Sequence, residues 1–278
     1  MSPGVRSLPF PEPYNWRCVC VGVHFVQFSY DIGLAVLSVA IAILAVFTGL
    51  VMTTRLRDVR RWDAAIRIGL AGLALGGGFC ATDAIAITAI TGPVELHYDP
   101  LIAGLAALIA VLFAITALAG VGFDLLGRYT LPGATLFLGS GLAATHHLGL
   151  AALQGDWQIS LGWFGVASAS LIAIETAGLA LWFAFRKRGV LDTVLASVAV
   201  ALAAASTHYL GMEAVRFLPS AGTVLAVQSS APNWPVALMT AAVMYCLCSV
   251  SLLVFCALTF KPQIVVKIAR PLRLQAHG

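Results

Sequence analysis

Three segments of the chain, FCATDAIAITA from Phe79, LAATHHLGLAA from Leu142 and AASTHYLGMEA from Ala204, align with one another; their centres are Asp83, His146 and His208, spaced 63 and 62 residues apart. One carboxylate and two imidazoles form a donor set that suits a divalent ion such as zinc or Cu(II). In the third segment Met212 follows His208 by four residues. On a helix that spacing puts both side chains on one face about a turn apart, so thioether and imidazole make a two-ligand pair. His147 and Tyr209 follow the central histidines directly, and Cys80 lies one turn before Asp83 as a further soft donor. The same residues also admit a structural role. Histidines, Asp83 and the threonines Thr82, Thr145 and Thr207 can tie membrane helices together by interhelical hydrogen bonds, with an Asp83–His pair neutralising both charges. On the residues alone both readings stay open.

The elements that must position these groups follow from composition. The 278 residues are 60% hydrophobic and 10% charged, with mean hydropathy +0.94, far below the roughly 25% charged residues of a soluble domain. Seven apolar runs, at about 32–52, 67–90, 101–127, 133–153, 161–185, 192–214 and 236–260, are each long enough for a hydrocarbon core that needs roughly 20 residues. Backbone polar groups in lipid must be satisfied within each segment, and barrel strands would alternate in polarity. The runs therefore predict helices and an all-α, polytopic membrane bundle of seven transmembrane helices. Asp83, His146 and His208 each lie six or seven residues before a helix end, roughly 10 Å below the interface. At that depth an ionisable side chain must face the bundle interior and find a partner.

The basic residues give the expected orientation. Arg55, Arg57, Arg60, Arg61 and Arg67 follow the first run, Arg128 the third, Arg186, Lys187 and Arg188 the fifth, and Lys261, Lys267, Arg270 and Arg273 the seventh, which is 13 of 16 on one side. By the positive-inside rule that side is cytoplasmic and the N-terminus is outside. The net charge of +4 is thus topology and gives no reason to expect nucleic acid. Residues 1–27 read as an extracytoplasmic lead-in without a cleaved signal peptide, because a basic n-region and a small-residue cleavage site are both missing. The tail 261–278 reads as cytoplasmic.

The starts of the odd helices repeat as well. Tyr30-Asp31 and Tyr98-Asp99 precede small-residue-rich runs, with Trp157 in the corresponding place of the third. The organisation is a two-helix hairpin used three times, followed by one extra helix. THYLGMEA, the Tyr-Asp lead-ins and the LSVAIAILA stretch of Leu37–Ala45 resemble the MHYT domain, an integral-membrane sensor module of three helix pairs, over about residues 28–218. The resemblance implies motifs near the outer face of the cytoplasmic membrane, bound copper, and sensing of oxygen, carbon monoxide or nitric oxide. It also implies relay to a cyclic-dinucleotide or kinase output. This sequence departs from the motif: its first Met is Thr82, Thr145 and Thr207, its His is Asp83 in the first copy, and Gly-Met is intact only as Gly211-Met212. Cu(I) prefers thioether and thiolate ligands, so the remaining donors fit zinc as well as copper.

Other residues add less. Glu175 is the deepest carboxylate, a proton-relay candidate or a buried hydrogen-bond partner of a neighbouring helix. His24 and His97 are expected at the outer surface. Gly76-Gly77-Gly78 lies within a helix run, where small residues permit close packing, and is not a phosphate loop. With no nucleophile elbow and about 18 residues after the seventh run, the expectation is a protein that is not an enzyme and that signals through a separate partner protein. Two functions remain: a sensor binding a metal or diatomic ligand, or a small transporter with Asp83, Glu175 and the histidines lining its path. The parallel repeat favours the sensor, since many secondary transporters carry inverted repeats.

Overall fold

The computed structural model describes residues 29–91, 97–154, 157–186, 189–213, 215–219 and 233–259. His24, the 1–27 lead-in and the 261–278 tail lie outside the described residues. Seven long helices account for most of what is described: α1 (Ile32–Met52), α2 (Arg61–Thr88), α3 (Pro100–Gly122), α4 (Thr130–Ala151), α5 (Trp163–Phe185), α6 (Val190–Glu213) and α7 (Trp234–Thr259). All but α4 are long and apolar enough to cross a membrane. In α4 the polar residues Ser140, Thr145, His146 and His147, together with four glycines, dilute the apolar character of a 22-residue helix. The fold is an all-α, multi-pass membrane bundle.

Each helix pair is closed by a short antiparallel ladder. Strand β1 (Ser29–Tyr30) pairs with β2 (Ile90–Thr91), β3 (His97–Tyr98) with β4 (Leu153–Gln154), and β5 (Trp157–Leu161) with β6 (Val215–Pro219). The segment entering an odd helix is thus tied to the segment leaving the following even helix, three times over. Asp31 and Asp99 are the N-caps of α1 and α3: Asp31 accepts from the backbone N–H of Leu34, Asp99 from Leu101 and Ile102, offsetting donors that a helix start leaves bare. In the third hairpin the cap position is Gly162. The residue pair equivalent to Tyr30-Asp31 is therefore Leu161-Gly162, and Trp157 instead opens the longer β5.

Consecutive helices pack side by side, and α6 packs back on α1, so α1 to α6 form a closed ring with α7 laid against α1 and α2. The ring turns small residues inward and large ones out. Ala106, Ala110, Ala114 and Ala117 of α3 and Ala169, Ala173, Ala177, Ala180 and Ala184 of α5 are buried, while Leu101, Leu105, Leu108 and Leu112 are exposed. Lipid tails are as apolar as leucine, so close backbone approach through small residues drives such packing. Gly76 shows it: a Cβ there would stand 2.5 Å from the carbonyl oxygen of Ala110. Gly78 meets Ala45 in the same way, as expected of a packing triplet.

Arg67 does not lie in a loop. Helix α2 begins at Arg61, six residues before the apolar run, and Arg67 is buried within it. Its guanidinium donates to the Thr259 hydroxyl at 3.1 Å and lies 4.8 Å over the Phe255 ring. These contacts join α2 to the end of α7.

Candidate functional site

The aligned segments of the three even helices converge on one point in the bundle. Nδ1 of His146 stands 3.0 Å from Oδ1 of Asp83, and Nδ1 of His208 hydrogen-bonds the same oxygen. Both histidines are nearly sealed, at 4% and 2% exposure. One ligand atom from each of the three residues lies within 4.8 Å of the other two. Atoms sharing one zinc-sized ion at roughly 2.1 Å sit about 3.4 Å apart, so the triad is close to a coordinating set.

The threefold arrangement extends along the bundle. One turn before the triad come Phe79, Leu142 and Ala204. Beside it are Thr82, Thr145 and Thr207, and together these nine residues and Thr176 of α5 line a cavity of about 40 Å³. That is space for two or three water-sized molecules. The threonine hydroxyls donate to the carbonyls four residues back, of Gly78, Gly141 and Ala203, at 2.8, 2.8 and 3.1 Å. They are thus satisfied within their own helices and do not bridge them, except that the Thr207 hydroxyl also stands 3.4 Å from that of Thr176. One turn after the triad, Ile87, Leu150 and Met212 are packed with Ile90, Leu153 and Val215 in a buried apolar layer. The triad is enclosed between apolar layers on both sides.

An ionised carboxylate only accepts hydrogen bonds, so two imidazoles facing one Asp83 oxygen carry their protons on Nδ1 and keep lone pairs on Nε2. Among the described residues neither Nε2 atom, both of them buried, has a hydrogen-bond partner. This is the disposition in which a carboxylate orients imidazoles for a metal. Space around His146 is tight, since a Cβ on Gly211 would stand 2.7 Å from its Nε2.

The remaining expected site residues fall around this centre. The His147 ring meets His146 edge-on with centroids 5.6 Å apart, and among the described residues neither of its nitrogens has a hydrogen-bond partner. The Tyr209 ring stands edge-on to His208 at 5.1 Å and to Tyr30 at 5.3 Å. Burial, with Tyr209 and Glu213 nearby, pushes the Tyr30 phenol up to about 12, so it stays neutral. Met212 belongs to the apolar layer one turn from the triad. Cys80 lines a separate groove of about 470 Å³ between α2, α3 and α7, whose wall Asp83 and Thr145 share with the central cavity. Glu175 is not in the interior: it is exposed on the outward face of α5, while its neighbours Ala173, Thr176 and Ala177 turn inward. Thr176 is the lining residue that repeat alignment misses, because it comes from an odd helix with no counterpart in the aligned segments.

Comparison with known proteins matches this pattern. The family model of MHYT, described as a bacterial signalling protein N-terminal repeat, matches residues 21–65, 76–134 and 139–197. The chain is 32% identical over 194 residues to the bifunctional diguanylate cyclase/cyclic di-GMP phosphodiesterase MucR of Pseudomonas aeruginosa, covering 68% of this chain and 28% of that protein. It is 31% identical over 236 residues to the cyclic di-GMP phosphodiesterase NbdA of the same organism, covering 78% and 29%. A signalling protein of Caulobacter vibrioides is 26% identical over 205 residues, covering 74% and 25%. The chain therefore spans less than a third of the length of these relatives. No solved structure matches it. Three matched repeats, a ring of three helix hairpins and spans fit for a bilayer lead to one assignment: the chain belongs to the MHYT family of bacterial membrane signalling proteins.

Proposed function

We propose that this chain is a sensor of the bacterial inner membrane which binds a metal ion through Asp83, His146 and His208 and passes the bound state to a separate signalling partner. The observation that carries the reading is the pair of imidazoles held by one carboxylate oxygen, each with a buried Nε2 that has no hydrogen-bond partner among the described residues. A buried nitrogen without a partner costs free energy, and an ion would relieve it. Zinc and copper both suit imidazole and carboxylate donors. A metal held by the two imidazoles that Asp83 orients would keep further positions at which a small diatomic molecule could bind.

The protein's own part is to orient and seal. Asp83 fixes both imidazoles, the layer of Ile87, Leu150 and Met212 limits water on one side, and Phe79 and Leu142 do so on the other. Because the triad comes from three different hairpins, a change in its spacing shifts α2, α4 and α6 together, and α2 is joined through Arg67 to the end of α7. In the topology we favour, all seven helices span, with the N-terminus outside and the C-terminus cytoplasmic, residues 28–218 as the sensing unit, 236–260 as the seventh span and 261–278 as the tail. A transporter path through Glu175 finds no support, since that side chain faces away from the bundle.

The test is the metal content of the purified full chain beside its thermal stability, for the wild type and His208→Ala. The reading expects about one ion per chain in the wild type and less than a tenth of that in the variant. The loss of one membrane hydrogen bond should lower stability by only about 1 to 2 kcal/mol. Unchanged metal content with a lowered melting temperature would instead make the triad structural.

A further inference from the structure

Helix α5 runs from Trp163 to Phe185, and Glu175 is its thirteenth residue of 23, the middle of a membrane-crossing span. Glu175 is exposed, and among the described residues it has neither a hydrogen-bond nor an ion-pair partner. It sits within a continuous outward stripe of Phe164, Ala167, Leu171, Leu179 and Trp182, all exposed and spaced by three or four residues. An ionisable side chain left facing hydrocarbon at mid-span is costly, and in membrane proteins such groups turn to the interior or to a partner. The interior is closed to this one, because the opposite face of α5 is packed through Ala169, Ala173, Ala177 and Ala180.

We infer that the α5 face centred on Glu175 is a dimer interface with a second copy of this chain, the two Glu175 carboxyl groups hydrogen-bonding to each other across a two-fold axis along the membrane normal. Copies inserted in one orientation place identical residues at identical depth, and an isologous contact pairs each residue with its own counterpart when it lies on the axis. A carboxyl group can both donate and accept, so it is complementary to itself. Among the described residues a second copy offers no basic partner at this depth: Arg55, Arg57, Arg60, Arg61, Arg67, Arg128, Arg186 and Arg216 lie in turns, short elements outside the spans or toward helix ends. Spacing of three and four residues is that of a left-handed helix pair, in which a single polar position fixes register. The inference is independent of metal binding.

The experiment is energy transfer between donor- and acceptor-labelled full chains co-reconstituted in lipid vesicles, read against lipid dilution. Glu175→Leu should weaken association at least tenfold, whereas Glu175→Gln, whose amide also donates and accepts, should stay within about threefold of wild type. Ser206→Leu, on the exposed face of α6, should have no effect. Should Glu175→Leu fail to fold, disulfide trapping of Leu171→Cys in a chain otherwise free of cysteine replaces it, and dimers are expected. A wild type that stays monomeric, a Glu175→Leu variant that associates normally, or Leu171→Cys that does not cross-link overturns the proposal. A monomer captured only with a partner whose span carries a basic side chain overturns it too.

Discussion

The α-carbon of Gly211 on α6 faces the Nε2 edge of His146 on α4 so closely that a methyl group there would stand 2.7 Å away. A contact under 3 Å forces one of the two to move. Gly211→Ala should therefore displace the His146 ring from Asp83, cost about 1 to 3 kcal/mol as an overpacked core does, and weaken metal binding at least tenfold. Thermal unfolding and metal titration check it, and an alanine variant with wild-type values in both would show that the ring has room to spare.

Asp83→Asn keeps the shape of the group that holds both histidines and removes its charge. The amide oxygen can stand in for Oδ1 and still accept from both Nδ1–H groups, but without the carboxylate's charge those bonds are weaker, so the imidazoles are held less firmly. Metal affinity should fall about 10- to 100-fold, the range seen when a residue that orients a ligand is lost, with the helix content kept. Competition against a chelator of known affinity, followed by circular dichroism, measures both.

Met212 lies in the apolar layer with Ile87 and Leu150, one turn from the triad. Met212→Leu conserves volume and should cost less than about 1.5 kcal/mol. Zinc binding should be unchanged, while a selective loss of Cu(I) binding would bring the thioether into the coordination set.

Orientation can be read by reporter fusions. Fusions after Arg188 and Lys267 should report the cytoplasm and one near Ser229 the outside, because in the sequence 13 of the 16 basic residues follow the odd-numbered apolar runs, the side that the positive-inside rule makes cytoplasmic. A cytoplasmic signal at Ser229 would invert the position assigned to the triad.

Much of this architecture is legible in the sequence because lipid imposes a simple rule: apolar runs must be helices, and the α1 and α5 ends lie within two residues of where the runs place them. The triad is legible because three aligned segments bring their centres to one depth. The beginning of α2 is not, since the Arg61–Arg67 segment mixes charge with apolar residues and forms no run. The ladders escape as well: a two-residue strand such as Ser29–Tyr30 is too short for any alternation. Glu175 escapes for another reason. In a membrane helix both faces are apolar, so the pattern that tells inside from outside in water is absent, and only the alanine stripe of α5 marks the inward side.

Closure of the ring by α6 on α1 has a chemical consequence. Three separate hairpins meeting on an axis would bring three identical groups together: three carboxylates would repel, and three neutral imidazoles would lack a common acceptor. Joined in one chain, the hairpins share a backbone plan yet are free to differ at a single position, and that freedom lets Asp83 stand opposite two histidines. The covalent connection thus supplies asymmetry at the one point where near-symmetric packing would forbid it, and a chain cut to two hairpins would keep its helices while losing the means to assemble the site.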